Sequence, residues 1–338
     1  MTDLTRTRTM IAWRQHRYGG PDVVASERVE VPVPGADEVL LRVRATSLNA
    51  ADHHVMRGTP LLLRLAFGIR RPRMAARGMD VAATVVAVGS GVTAWAVGDE
   101  VMGELPGGGG LAEYALAPAS RLVARPAALE PAVAAALPLA GGTAWQALER
   151  AGVANGHRVL VLAASGGVGH FAVQLAAVRG AEVWATCGEP SLKMVTDLGA
   201  VRTFDYRETD AAALPPASFE AVIDIAGTAP LRVLKALLRP GGSLVMVSGA
   251  GNDVFGPVGR IIRGALIGIG GGRSIRPLAA VAKPEVTRGL AALAAAGRIR
   301  PVIEERFSLA DAGKALARID SGRTVGKIVV DVAPDPAE

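Results

Sequence analysis

The sequence predicts an α/β fold, a doubly wound parallel sheet joined to a β-rich domain. Three observations carry this. Strand and helix patterns alternate from about residue 129 to 277, the rhythm of parallel strands linked by right-handed crossovers. Residues 10–125 instead hold short strand patterns punctuated by Gly and Pro, as in a barrel or sandwich. And the apolar run 158–162 leads straight into a glycine-rich turn and an amphipathic helix, 163–176.

In chain order, strands are expected at 10–13, 39–47 and 81–88, with shorter pieces around Val101 and Tyr114. The detour 59–73 carries Leu61, Leu62, Leu63, Leu65 and Phe67. It roofs an apolar pocket with Arg70, Arg71 and Arg73 at the rim, or it is a surface lobe. Helices follow at 131–137 and 143–150. The alternating part has strands at 159–163, 182–186, 202–205, 221–225, 243–248 and 265–269. Between them come helices at 169–179, 191–198 and 229–238, and one more before the last strand. A helix at 284–296, a strand at 302–307, a short helix at 309–319 and a strand at 327–332 break the rhythm. They are expected to return to the first domain. The predicted division is 1–128 completed by 278–338, with 129–277 between.

The 338 residues are half hydrophobic, enough for two domains with sizeable cores. The formal charge is +6. Its basic residues are scattered rather than gathered with aromatics on one face, which argues against nucleic-acid binding. One cysteine, Cys187, excludes a disulfide framework and a multi-cysteine zinc lobe. No signal-like segment and no long apolar run stands out, so a cytoplasmic chain without a membrane span is expected.

The strand–turn–helix at 158–176 builds an anion site. Backbone N–H groups and the positive end of a helix dipole hold a pyrophosphate. Ser165, Gly166, Gly167, Val168 and Gly169 form this cradle. Gly166 permits the tight turn and Gly169 lets the helix approach the strand. Ala164 stands where the first glycine of the dinucleotide fingerprint belongs, so an ordinary strand–helix turn is the competing reading. Gly227 is a further candidate cofactor contact.

The wider pattern strengthens the first reading. Tyr18-Gly19-Gly20-Pro21-Asp22, Ser47-Leu48-Asn49-Ala50-Ala51-Asp52, Gly78-Met79-Asp80, Val97-Gly98-Asp99-Glu100-Val101 and Leu111-Ala112-Glu113-Tyr114 occur in this order. Leu137-Pro138-Leu139-Ala140-Gly141-Gly142-Thr143, Leu198-Gly199-Ala200 and Gly326-Lys327-Ile328-Val329 follow. The chain resembles the medium-chain dehydrogenase/reductase superfamily over nearly its whole length, in the zinc-independent quinone oxidoreductase-like branch. The resemblance implies a GroES-like β-rich catalytic domain and a Rossmann cofactor domain.

Where zinc-dependent members of that superfamily hold the metal, this chain has Asn49, Met79 and Leu139. None is a usable zinc ligand, so no metal is expected. A site without a Lewis acid suits hydride delivery to an already electrophilic acceptor. The resemblance puts the nicotinamide near Asn49, Thr143, Ser248 and Lys327. Asn49 is suited to the ribose hydroxyls, although it is also a turn-capping residue type. Thr143 is alternatively an N-cap, and Lys327 a surface charge beside a glycine, Gly326, that permits close approach to a ligand. Asp52 is read as structural.

Thr186 and Cys187 end the second strand of the alternating part, where enzymes using NAD keep a carboxylate. With none there, and with Lys193 and Tyr206 resembling phosphate-binding residues of relatives, NADPH is expected. Glu189 is the opposing signal, read as lying beyond the strand end. His54 is a candidate acid for the proton that completes reduction, although Ala51 interrupts a relay and solvent is an alternative source. His170 is expected to flank the pyrophosphate.

Together these readings describe an NADPH-dependent, metal-free oxidoreductase. Its acceptor would be an apolar or aromatic quinone or an α,β-unsaturated carbonyl. The alternatives are a carbonyl reductase or alcohol dehydrogenase, and a non-catalytic NADPH-binding protein. A homodimer formed through the apolar strand 265–269 is expected, since an uncovered sheet edge tends to pair.

Overall fold

The computed structural model describes residues 8–247, 256, 258–268 and 272–332. The N-terminal ribbon pairs β1 (Thr9–Gln15) antiparallel with β2 (Val24–Glu30). After it come β3 (Glu38–Leu48), α1 (Ala50–Arg57), α2 (Arg64–Phe67), β4 (Asp80–Val88), β5 (Glu100–Glu104), β6 (Tyr114–Pro118) and β7 (Leu122–Ala124). Next are α3 (Pro131–Ala135) and α4 (Pro138–Ala151). The alternating part then runs β8 (Arg158–Leu162), α5 (Gly169–Val178), β9 (Glu182–Cys187), α6 (Leu192–Asp197), β10 (Arg202–Asp205), β11 (Phe219–Asp224), α7 (Leu231–Leu237), β12 (Leu238–Met246), α8 (Val258–Gly268) and β13 (Ser274–Pro277). Last are α9 (Pro284–Ala295), β14 (Ile303–Ser308), α10 (Ala312–Asp320) and β15 (Lys327–Asp331).

These elements make two main sheets. One is six-stranded in the order β10-β9-β8-β11-β12-β13. Every neighbouring pair in it is parallel. Counted from β8, that is the doubly wound order 3-2-1-4-5-6, with its switch point between β8 and β11. β8 reads Arg-Val-Leu-Val-Leu and is buried from Val159 to Leu162. A continuous apolar run is what a strand covered by helices on both faces requires. The other sheet is seven-stranded and mostly antiparallel, in the order β14-β15-β3-β4-β5-β7 with β6 also on β3. β3 bends at two register shifts, between Leu40 and Leu41 and between Val43 and Ala45, as bulges allow.

A large apolar core joins the two sheets through α3, α4 and α5. Ala132, Ala134, Ala140, Ala144 and Ala147 are buried there beside Phe171, Val159 and Val161. Small residues let the helices approach the sheets closely. α5 was expected to present one apolar face, but Gly169 through Ala176 are all buried. A helix apolar all round has no solvent side to present.

The apolar run at 265–269 is not a strand over its described residues. Val258, Ile261, Ile262, Ala265 and Leu266 recur at helical spacing, and 258–268 is the helix α8. Gly264 lets that helix pack closely. A side chain there would come within 2.9 Å of Met246 Cε and 3.2 Å of Ile275 Cγ2. Ile269 lies outside the described residues. The edge strand of the sheet is β13, four residues ending in Pro277. Among the described residues, the apolar edge argued for self-pairing is therefore absent.

The detour 59–73 forms a short 3-10 turn and α2, with Leu61, Leu62 and Leu65 exposed. A side chain on Gly256 would meet Pro60 Cγ at 2.4 Å, so the detour's start abuts the chain just before α8.

Candidate active site

The glycine turn follows β8 at the switch point. Ala163, rather than Ala164, adopts the left-handed conformation there, with φ of 57°. Its carbonyl accepts the N–H of Gly166 at 3.2 Å. Gly169 is obligatory, because a Cβ would lie 2.2 Å from Ala163 O. Gly166 is different. A Cβ there meets only Ala163 O, at 3.5 Å, so the protein itself leaves that space open. Among the described residues, the N–H groups of Gly167, Val168 and Gly169 find no backbone acceptor. An open cradle of free N–H groups before a ten-residue helix fits a pyrophosphate.

His170 is buried and hydrogen-bonds Gly166 O through Nδ1 at 2.9 Å. Burial lowers its pKa to about 4, with the nearby Lys327 charge pushing the same way. The ring is therefore neutral, and the carbonyl fixes the proton on Nδ1. Nε2 is left as a buried acceptor without a partner among the described residues. An acceptor does not bond a phosphate oxygen, so His170 braces the turn rather than holding the pyrophosphate.

Asn49, the N-cap of α1, turns its carboxamide toward Asp80 and Lys327. Asn49 Nδ2 donates to Asp80 Oδ2 at 2.8 Å, and Lys327 Nζ donates to Asn49 Oδ1. Lys327 Nζ also reaches Leu48 O at 3.1 Å and lies 3.5 Å from Asp80 Oδ2. Asp80 further accepts from Ser47 Oγ and from the N–H of Leu139, both at 2.9 Å. The positions Asn49, Met79 and Leu139 thus gather around one aspartate. Lys327 is 2 % exposed, so it is no surface charge. Burial lowers its pKa, opposed by Asp80 and Asp52.

Gly326 serves the backbone rather than a ligand, since a Cβ would lie 2.2 Å from Val302 O. It brings Lys327 beside the glycine turn, where a Cβ on Gly167 would come within 3.7 Å of Lys327 Cδ. Asp52 is structural, accepting the N–H groups of Asn49 at 3.0 Å and Gly78 at 2.9 Å. Burial raises it to about 6, with those two N–H groups holding it back. Thr143 lies within α4 and is not an N-cap. Its hydroxyl donates to Leu139 O at 2.7 Å, one turn back.

Glu104, at the end of β5, was not foreseen. It lies opposite Asp80 in register and stands beside Gly142 of α4. Burial and the Asp80 charge raise it to about 7, against Arg121 and Lys327. Its spacing in the sequence carries no motif; only the strand pairing brings it here.

His54 is held apart from this group. Its Nδ1 bonds Thr59 O at 3.0 Å, just beyond the C-terminal end of its own helix. The adjacent His53 faces Asp320 of α10 at 3.2 Å. Gly227 follows β11, donating its N–H to Asp224 Oδ1 at 2.9 Å, and takes φ of 70°. Ser248 lies outside the described residues.

At the end of β9, Thr186 and Cys187 are buried. Burial and the neighbouring Asp205 raise the Cys187 thiol to about 11, so it is not a reactive thiolate. The sequence reading found no carboxylate at this edge, but Asp205 is there, paired in register with Cys187. Arg207 answers it. Its backbone N–H donates to Asp205 at 3.0 Å and its guanidinium lies 3.7 Å away. The guanidinium also stacks over Tyr206, 4.7 Å from the ring centre. A Cβ on Gly188 would lie 3.1 Å from Arg207 Nη1, so this cation stands at the strand end. Lys193 instead pairs with Asp197 in solvent, 86 % exposed. Glu189 is exposed past the strand end, on a 3-10 turn.

Among the described residues no three His, Cys, Asp or Glu side chains are arranged to hold a metal ion. No helix among them is long and apolar enough to cross a membrane.

Two family models match. Residues 35–127 match the alcohol dehydrogenase GroES-like domain, and 198–330 match a model described as zinc-binding dehydrogenase. The chloroplast envelope quinone oxidoreductase homolog of Arabidopsis thaliana is 36 % identical over 335 residues, covering 95 % of this chain and 98 % of that protein. An NADPH-dependent alkenal/one oxidoreductase, chloroplastic, of the same plant is 31 % identical, covering 98 % and 82 %. The structure of the quinone oxidoreductase from Coxiella burnetii superposes with a TM-score of 0.84 at 28 % identity, covering 96 % of this chain and 100 % of that one. A GroES-like domain, a Rossmann sheet and full-length similarity to quinone oxidoreductases place this chain in the medium-chain dehydrogenase/reductase superfamily, in its zinc-independent quinone oxidoreductase-like branch.

Proposed function

We propose that the chain is an NADPH-dependent oxidoreductase that delivers hydride, without a metal, to a quinone or an α,β-unsaturated carbonyl. The observation that carries this is the Asn49–Lys327–Asp80 group set against the glycine turn. It puts a carboxamide and an ammonium where zinc-dependent relatives keep their metal. The donor set is wrong for zinc, since Met79 and Leu139 offer no thiolate, imidazole or carboxylate. Asn49's carboxamide oxygen already accepts from the Lys327 ammonium, which a zinc ligand could not do beside a cation.

When bound, the dinucleotide supplies the hydride. The N–H groups of Gly167, Val168 and Gly169, with the α5 dipole, hold its pyrophosphate. Arg207 and Tyr206 favour a 2′-phosphate over a bare ribose hydroxyl, with Lys193 able to join once released from Asp197. Thr186, Cys187 and Gly227 shape the adjoining walls. Asn49, oriented by Lys327, holds the nicotinamide ribose, with Thr143 nearby. Conjugated acceptors need little activation, so orientation and exclusion of water suffice; orientation alone contributes about 7–11 kcal/mol. We assign the cofactor unit to 129–277 and the catalytic unit to 1–128 with 278–338, following sheet membership. We further expect a cytoplasmic location; the homodimer expected through 265–269 loses its basis, because the described residues of that run are helical.

The test is a panel of quinones, enones and alcohols assayed with each nicotinamide. The expected result is NADPH oxidation by quinones or enones. Turnover confined to alcohols, or none with any acceptor, would reject the reading.

A further inference from the structure

We propose that Glu104 is the proton donor that completes reduction of the acceptor, acting from the strand opposite Asp80. This rests on the hydride-transfer reading above.

Glu104 and Asp80 are directly opposed in the antiparallel pairing of β5 and β4. Opposed residues share one face of a sheet. Asp80's oxygens are filled by Ser47, Asn49 and Leu139, with Lys327 facing them. Glu104 receives no hydrogen bond from any described residue. The charged groups acting on it are Asp80 from β4, Lys327 from β15 and Arg121 from the turn before β7. From α4 it meets a glycine: Oε1 is 4.0 Å from where a Gly142 Cβ would stand, so that side stays clear. A chain of contacts therefore runs from Gly167 through Lys327 and Asp80 to a carboxyl that is only partly exposed and uncommitted.

A carboxyl withdrawn from water, with a like charge beside it and no donor, keeps its proton to unusually high pH. At about 7, both its forms are populated near neutrality, which suits a general acid. With a conjugated ketone, hydride adds to the β-carbon and the C=C pair shifts to leave an enolate. The Glu104 O–H bond then breaks and its proton goes to the α-carbon. The carboxylate left behind takes a proton from water, so one hydride and one proton are consumed per acceptor reduced.

The experiment compares pH profiles of kcat/KM for the wild type, Glu104→Gln and Glu104→Asp, with NADPH affinity measured by fluorescence titration. The wild type should lose activity above about pH 7. Glu104→Gln should bind NADPH normally, lose about 10²–10⁴-fold in kcat and lose that alkaline limb. Glu104→Asp should keep the limb at reduced kcat. Wild-type turnover with Glu104→Gln equally fast and equally pH-dependent would overturn the assignment while leaving the hydride-transfer reading intact. A wild type that oxidises no NADPH with any acceptor would overturn both.

Discussion

Asp80 and Glu104 face each other across neighbouring strands, yet only Asp80 is satisfied by hydrogen-bond donors. One carboxylate organises the site; the other is left to titrate. Four donors converge on Asp80, one of them the ammonium of a lysine that is 2 % exposed.

Removing that anion should be costly. Asp80→Ala leaves Lys327 buried without its nearest counter-charge and strips partners from Ser47, Asn49 and Leu139. The expected loss is about 3–5 kcal/mol of unfolding free energy. Urea denaturation measures it. A loss below about 1 kcal/mol, the scale of an exposed ion pair, would mean the cluster does not carry the junction.

The two glycines of the turn should behave oppositely. Gly169→Ala drives a Cβ onto Ala163 O and should lower the melting temperature. Gly166→Ala fits the empty turn, where its Cβ finds only a 3.5 Å contact. Its melting temperature should be unchanged, while NADPH affinity falls at least about tenfold, some 1.4 kcal/mol, because the methyl occupies phosphate space. Wild-type affinity in Gly166→Ala would show that the pyrophosphate lies elsewhere.

Cofactor choice should rest on Arg207 more than on Lys193. A charge-assisted bond to a 2′-phosphate is worth about 1.5–3 kcal/mol. Arg207→Ala should therefore cut the NADPH-to-NADH preference by about 10–100-fold. Lys193→Ala, which breaks a solvent-exposed pair, should change it less. Kinetics with both nicotinamides decide this, and a preference untouched by Arg207→Ala would count against the assignment.

Stability should carry the signature of Glu104. Its pKa in the folded chain is raised from 4.5 to about 7, so folding favours the protonated form. Its contribution falls as pH rises between those values. His170 acts oppositely: its pKa falls from 6.5 to about 4, so stability is lost as pH drops through that range. Glu104→Gln removes only the first effect. Its melting temperature should rise relative to wild type as pH climbs from about 4.5 to about 7. Parallel curves for the two proteins would show an ordinary, solvated Glu104.

Much of the fold is legible in the sequence, because buried parallel strands such as Val159–Leu162 are written as unbroken apolar runs. The same signal misleads at 265–269, where four apolar side chains and a glycine fit a strand or a helix equally well. Only the helical spacing back to Val258 separates the two. In the site, motif spacing pointed to Asn49, Lys327 and the glycine turn. It gave no hint of Glu104 or Arg207, which reach their places through strand register. Thr143 was misplaced for a related reason: Pro138, not Thr143, starts the helix.

The central claim is direct hydride transfer without a metal. Its most direct measurement is the fate of deuterium from the transferable C4 position of labelled NADPH, using chelator-treated enzyme and an enone or quinone acceptor. With the enone, mass spectrometry should find one deuterium on the β-carbon of the product; with either acceptor the rate should be unaffected by chelation. An enone product without the label, or activity that vanishes with the chelator and returns with zinc, would contradict the account.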